Sequence, residues 1–103
     1  MNKRELEIIN ILFGSAEEMT STDICNAKKD LTQSTVIAVL RKLLHENLVE
    51  VVGVAHSGKV LSRTYRPTPE AKAAVIKYFL QELEDVKSIF SIEELTEEEN
   101  KSY

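Results

Sequence analysis

Between Leu48 and Arg66 the helical spacing that orders the rest of the chain breaks off, and this interruption constrains the fold more than any other feature. Val49, Val51, Val52 and Val54 form a β-branched run too short and too rich in valine to favour helix over strand. His56-Ser57-Gly58-Lys59 separates it from a second strand, Val60-Leu61-Ser62-Arg63-Thr64-Tyr65-Arg66, and Ser-Gly supplies the turn chemistry of a hairpin. The chain therefore reads as helices, one hairpin and a final helix.

The helical parts carry their own start signals. From Lys3 to Phe13, Leu6, Ile9 and Phe13 share a stripe with Ile8 and Leu12 beside it, and Gly14 is the expected stop. Ser21 or Thr22 caps a second helix of about two turns that runs to Lys28 or Lys29, with Ile24 and Ala27 facing inward. Thr32 caps a third, running to Asn47, whose apolar stripe is Val36, Leu40, Leu43 and Leu44 with Val39 at its margin. Thr68-Pro69-Glu70 combines a capping hydroxyl, a proline pre-set for the first helical position and an acid matched to the helix dipole. The last helix is expected from Pro69 to about Phe90, followed by a short turn capped by Ser91 and holding Ile92 and Leu95, and then by an acidic, disordered tail from Glu97. This order describes a mainly α fold with a small β-hairpin: a winged helix-turn-helix followed by a long C-terminal helix. We expect residues 1–68 to form the winged domain, 69–96 a dimerisation helix continuous with it, and 97–103 the tail.

A net charge of −4 argues against a nucleic-acid partner until its distribution is considered. Residues 28–66 hold seven cations against three carboxylates, a local charge of +4, while residues 81–103 hold two cations against eight carboxylates, or −6. The middle is basic and the end is acidic. No apolar run is long enough to span a bilayer, and the first residues lead into an acidic amphipathic stretch, so the expected location is the cytoplasm, with no membrane partner. Cys25 is the one cysteine and reads as a small structural side chain. With no glycine-rich phosphate loop, no HExxH, and only His45 and His56 as imidazoles, catalysis is not expected. Cys25, His45 and His56 lack metal-ligand spacing, and no cofactor is expected.

The polar face of the third helix is the informative one. Gln can bond adenine, Arg can grip guanine with two parallel hydrogen bonds, and Ala or Ile can meet a thymine methyl, so Gln33, Ser34, Ile37, Ala38 and Arg41 are the candidate base readers. Lys28, Lys29, Thr35 and Lys42 are placed to contact phosphates, and Lys59 and Arg63 to bring the wing against the adjacent backbone or minor groove. Strict alternation puts Arg63 on the face of Leu61 and Tyr65, so its exposure requires a twist or strand end. In the last helix Ile76, Phe79, Leu83, Val86 and Phe90 recur at three- and four-residue spacing, with Ile89 beside them. Its first part, around Val75 and Tyr78, is expected to pack on the chain's own first helix, and its later part on a second copy. The expected partners are thus double-stranded operator DNA, an inverted repeat, and a second copy of the chain. The rival reading is a winged helix used for protein contact, of anti-activator type, with the basic face meeting an acidic partner.

Four segments carry a family resemblance: Glu5-Leu6-Glu7-Ile8-Ile9-Asn10, Leu31-Thr32-Gln33-Ser34-Thr35-Val36, Leu43-Leu44-His45-Glu46-Asn47-Leu48-Val49 and Arg63-Thr64-Tyr65-Arg66-Pro67. Together they resemble the penicillinase-repressor family, which also includes copper-responsive repressors, over residues 3–80. The resemblance implies a dimeric repressor with its reader helix at Gln33 to His45, dimerised through its C-terminal helices. It does not imply copper sensing, because the cysteine cluster of the copper-responsive members is missing. No residue assigns a site for the proteolysis that inactivates members controlling β-lactamase genes, and the inducing signal stays open.

Overall fold

A computed structural model of the chain describes residues 1–90; the turn expected at Ser91, Ile92 and Leu95 and the tail 97–103 lie outside the described residues. The first helix, α1 (Lys3–Gly14), starts at a reciprocal cap. Asn2 Oδ1 accepts from the Glu5 amide at 2.9 Å, and Glu5 Oε1 accepts from the Asn2 amide at 3.2 Å. Leu6, Ile8, Ile9 and Leu12 turn inward, whereas Phe13, expected on the same stripe, is exposed. Gly14 is the last helical residue and not a left-handed stop; Ser15 ends the helix by turning extended, its amide bonding the Leu12 carbonyl.

Two residues, Met19–Thr20, form a strand that periodicity could not announce (β1). Thr20 is also the true cap of α2 (Ser21–Asn26), in place of the expected Ser21 or Thr22: its hydroxyl accepts from the Asp23 amide, and the Asp23 carboxylate accepts from the Thr20 amide. The helix is accordingly shorter than expected. As predicted, Thr32 caps α3 (Gln33–His45), accepting from the Thr35 amide at 3.3 Å. The helix closes on Asn47, held at φ 59°. The amide of Leu48 returns to the Leu43 carbonyl and that of Asn47 to the Leu44 carbonyl, the paired bonds of a left-handed helix stop.

Strands β2 (Val49–Ser57) and β3 (Val60–Pro67) form the hairpin, joined through Gly58 at φ 67° and Lys59, the pattern of a type II′ turn. β1 adds to the far side of β3, with Met19 opposite Tyr65 and Thr20 opposite Thr64, so the sheet has three antiparallel strands in the order β1-β3-β2. A shift of register between Val51 and Gly53 breaks the strict alternation of β2.

The last helix, α4 (Pro69–Ile89), begins with proline in its first turn, as expected. Thr68, however, makes no side-chain cap; its hydroxyl donates to the Asn47 carbonyl at 2.6 Å and its amide to the Leu48 carbonyl at 3.0 Å. The core gathers Ile8, Ile9 and Leu12 from α1, Ile24 from α2, Val36, Leu40 and Leu43 from α3, and Leu31 and Val49. From α4 only Ala71 is buried, and Val75 packs against the core from the rim. From Phe79 to Ile89 every residue except Lys87 is exposed. Among the described residues no helix is long and apolar enough to cross a membrane.

Candidate nucleic-acid interface

The α2-turn-α3 unit is fixed from inside. Ile24 of α2 and Val36, Leu40 and Leu43 of α3 are buried in one cluster, and the half-buried Cys25 thiol of α2 donates to the carbonyl of Leu31 in the turn at 3.2 Å. A helix with one face pinned this way must present the opposite face to solvent. Gln33, Ser34, Ile37, Ala38 and Arg41 are all exposed, so each candidate base reader lies on the open side of α3. Gln33 is also tied to α2, its Nε2 donating to Ser21 Oγ at 2.8 Å.

The cations divide into two groups. Lys42 Nζ bonds both carboxylate oxygens of Glu5, at 2.9 and 3.2 Å, and Glu5 is almost fully buried. Burial alone pushes the Glu5 carboxyl up, but the Lys42 hydrogen bond, the Asn2 backbone and the Lys42 charge together hold it below the ordinary carboxylate range. The same hydrogen bond and charge raise the Lys42 ammonium. Lys28 Nζ lies 2.8 Å from Glu7 and 3.9 Å from Asp30, and Arg4 bonds the same two carboxylates at 2.9 and 3.3 Å. Lys28 chiefly depresses the Glu7 carboxyl, and Arg4 chiefly that of Asp30. Two of the lysines read from the sequence as phosphate contacts are thus answered by acids, Lys28 by Glu7 and Asp30 and Lys42 by Glu5 of α1.

The second group has no such partners. Among the described residues no carboxylate lies within 4.0 Å of Lys29, Arg41, Lys59 or Arg63. Lys59 stands at the tip of the wing and Lys29 in the turn before α3, both exposed. Arg63 is exposed too, on the face it shares with Tyr65. That face looks toward α3: a cleft of about 270 Å³ between wing and helix is lined by Ile37 and Arg41 on one side and by Ser62, Arg63 and Tyr65 on the other, with Ser21 at its end. Thr35 is half-buried and its hydroxyl accepts from Thr32 Oγ1 at 2.9 Å. Ser21, Ser62 and Tyr65 were not among the residues predicted for the site. For Tyr65 the signal was present, because alternation along β3 ties it to Arg63.

On α4 the residues expected at a dimer interface are all exposed: Ile76, Phe79, Leu83, Val86, Ile89 and Phe90. Leu80, overlooked in the spacing, is exposed as well and lies between Ile76 and Leu83, whereas Ile89 falls on the far flank of the stripe.

A family model described as "winged helix DNA-binding domain" matches residues 1–71. No curated protein matches the sequence. Among solved structures, PadR of Bacillus subtilis in complex with operator DNA superposes with a TM-score of 0.64 at 19% identity, covering 77% of this chain and 48% of PadR. This chain therefore spans about half the length of that protein. A PadR family transcription regulator from Clostridium difficile gives 0.62 at 18% identity, covering 86% of this chain and 98% of the other. A MepR mutant from S. aureus bound to an oligodeoxyribonucleotide gives 0.63 at 19%, covering 98% of this chain and 74% of MepR. At these identities the likeness is one of fold.

Proposed function

Because the chain belongs to the winged helix DNA-binding domain family, we propose that it is a sequence-specific transcriptional regulator of the cytoplasm, a repressor that binds an inverted-repeat operator as a homodimer. The observation that carries this reading is the open face of α3. Gln33, Ser34, Ile37, Ala38 and Arg41 enter the major groove, a space about 12 Å wide that admits one helix. Lys29, Lys59 and Arg63, with no described carboxylate within 4.0 Å, meet phosphates on either side, where counterion release supplies a large share of the affinity. Lys28 and Lys42 contribute only as far as DNA displaces their acidic partners.

Residues 1–68 form the reading domain and the helix from Pro69 onward joins two copies. A stripe of Ile76, Phe79, Leu80, Leu83, Val86 and Phe90 along a helix that projects from its own core supports that assignment, since a monomer would leave it in water. A two-fold pair of reader helices then matches two half-sites of an inverted repeat. The four motifs that resemble penicillinase repressors support repression as the direction of control, by occlusion of the polymerase. PadR and MepR, solved with DNA, support the placement of this fold on a duplex by analogy.

Fluorescence anisotropy with the DNA upstream of this gene and its neighbours tests the reading. Binding is expected to weaken steeply as salt rises, and footprinting to show two protected half-sites. Absent or salt-insensitive binding would favour the rival protein-contact module.

A further inference from the structure

We propose that Arg41 and Arg63 together hold a single phosphate of the DNA strand that passes between α3 and the wing, so that Arg41 acts as a phosphate contact and not as a base reader. The inference rests on the DNA-binding reading above and refines it at one cleft. The cleft is lined by two arginines 22 positions apart in sequence, one on α3 and one on β3, together with Ser21, Ser62 and Tyr65, and no acid lines it. Like Lys29 and Lys59, and unlike Arg4, Lys28, Lys42, Arg66 and Lys87, neither Arg41 nor Arg63 has a described carboxylate within 4.0 Å, and they are the two cations that line this cleft. Two like charges facing one recess repel each other until an anion enters, and a planar, fork-shaped donor suits the tetrahedral oxygens of a phosphate.

The shape of the duplex says which anion. The wall of the major groove is a phosphodiester strand, and beyond it lies the minor groove. With α3 in the groove and the hairpin beside α3, that strand must run through the gap between them. Arg41 lines the cleft with Ile37, Leu40 and Leu44, whereas Ser34, two turns nearer the helix start on almost the same side as Arg41, and Ala38 do not line it. Ser21 and Ser62 add hydroxyl donors of the kind commonly found on backbone phosphates.

A duplex enriched by the wild-type protein from a random-sequence library provides the probe. R41A and R63A are each expected to weaken binding by about 10- to 100-fold, the worth of a hydrogen bond to a charged group. Both side chains are exposed, and circular dichroism should report an unchanged fold. Library enrichment repeated with R41A should return the wild-type sequence. Duplexes carrying one uncharged methylphosphonate at a time should weaken wild-type binding at one shared position in each half-site, and the R41A/R63A double variant should be indifferent to that substitution. A changed base preference for R41A would overturn the assignment and return Arg41 to base reading. So would a double variant as sensitive as wild type to every methylphosphonate. If the wild-type protein enriches no duplex at all, the DNA-binding reading itself falls.

Discussion

Replacing Leu83 by aspartate tests the two-copy role of α4 near the middle of its apolar stripe. In the isolated protomer Leu83 is 45% exposed. Carrying a leucine side chain from full exposure to full burial is worth roughly 1.5–3 kcal/mol, so covering that remaining fraction is worth about 0.7–1.4 kcal/mol. A two-fold interface contains every residue twice, and losing both leucines therefore costs about 1.4–2.7 kcal/mol, or roughly 10- to 100-fold in the dimer dissociation constant. The introduced carboxylates worsen this further, since each enters an apolar contact on a helix that already carries Glu82, Glu84 and Asp85. Sedimentation equilibrium over a wide range of concentration reads the constant directly. Wild type is expected to dimerise, Leu83→Asp to shift strongly toward monomer, and Leu83→Asp with Phe90→Asp to remain monomeric throughout. The far-ultraviolet dichroism per chain should barely change, because this part of α4 takes no part in the core. A monomeric wild type, or a Leu83→Asp protein with the wild-type constant, would refute the reasoning.

Thr20→Ala should destabilise the chain by about 1–2 kcal/mol in urea unfolding by removing the cap of α2, while Ser21→Ala and Thr22→Ala stay within about 0.5 kcal/mol; equal effects at all three positions would contradict the cap. The buried Glu5 carboxyl, depressed below its ordinary value near 4.5, contributes stability that is present above that pH and lost as the pH falls through its lower native value. Thermal unfolding of Glu5→Gln should accordingly show a lower melting temperature near neutrality and a flatter decline in acid than wild type, and parallel curves would remove Glu5 from the acid response.

The features legible in the sequence were those written within one turn or one strand. Thr32 announced α3, Pro69 announced α4, and Gly58 marked the hairpin, because caps and turns depend on neighbours a few residues away. The open face of α3 followed from its period, and the structure agrees. What escaped was settled at a distance. Met19–Thr20 is a strand only because β3 lies beside it, and Thr68 leaves its own helix uncapped because the Asn47 carbonyl, a left-handed helix stop away, is within reach. Lys42 looked free because Glu5 is 37 residues away, and nothing in either local sequence couples them. The cleft shared by Arg41 and Arg63 likewise exists only once β3 is laid against α3. In hindsight Thr20 was readable, since Thr20 and Asp23 have the spacing of a reciprocal cap.

The two bonds that Thr68 makes to Asn47 and Leu48 have a mechanical consequence. They weld the outgoing end of one helix to the incoming end of the next, leaving no slack where a swivel would otherwise sit. In the proposed dimer, a change in how the two copies of α4 cross would be carried through these bonds to α3 and alter the distance between the two reader helices.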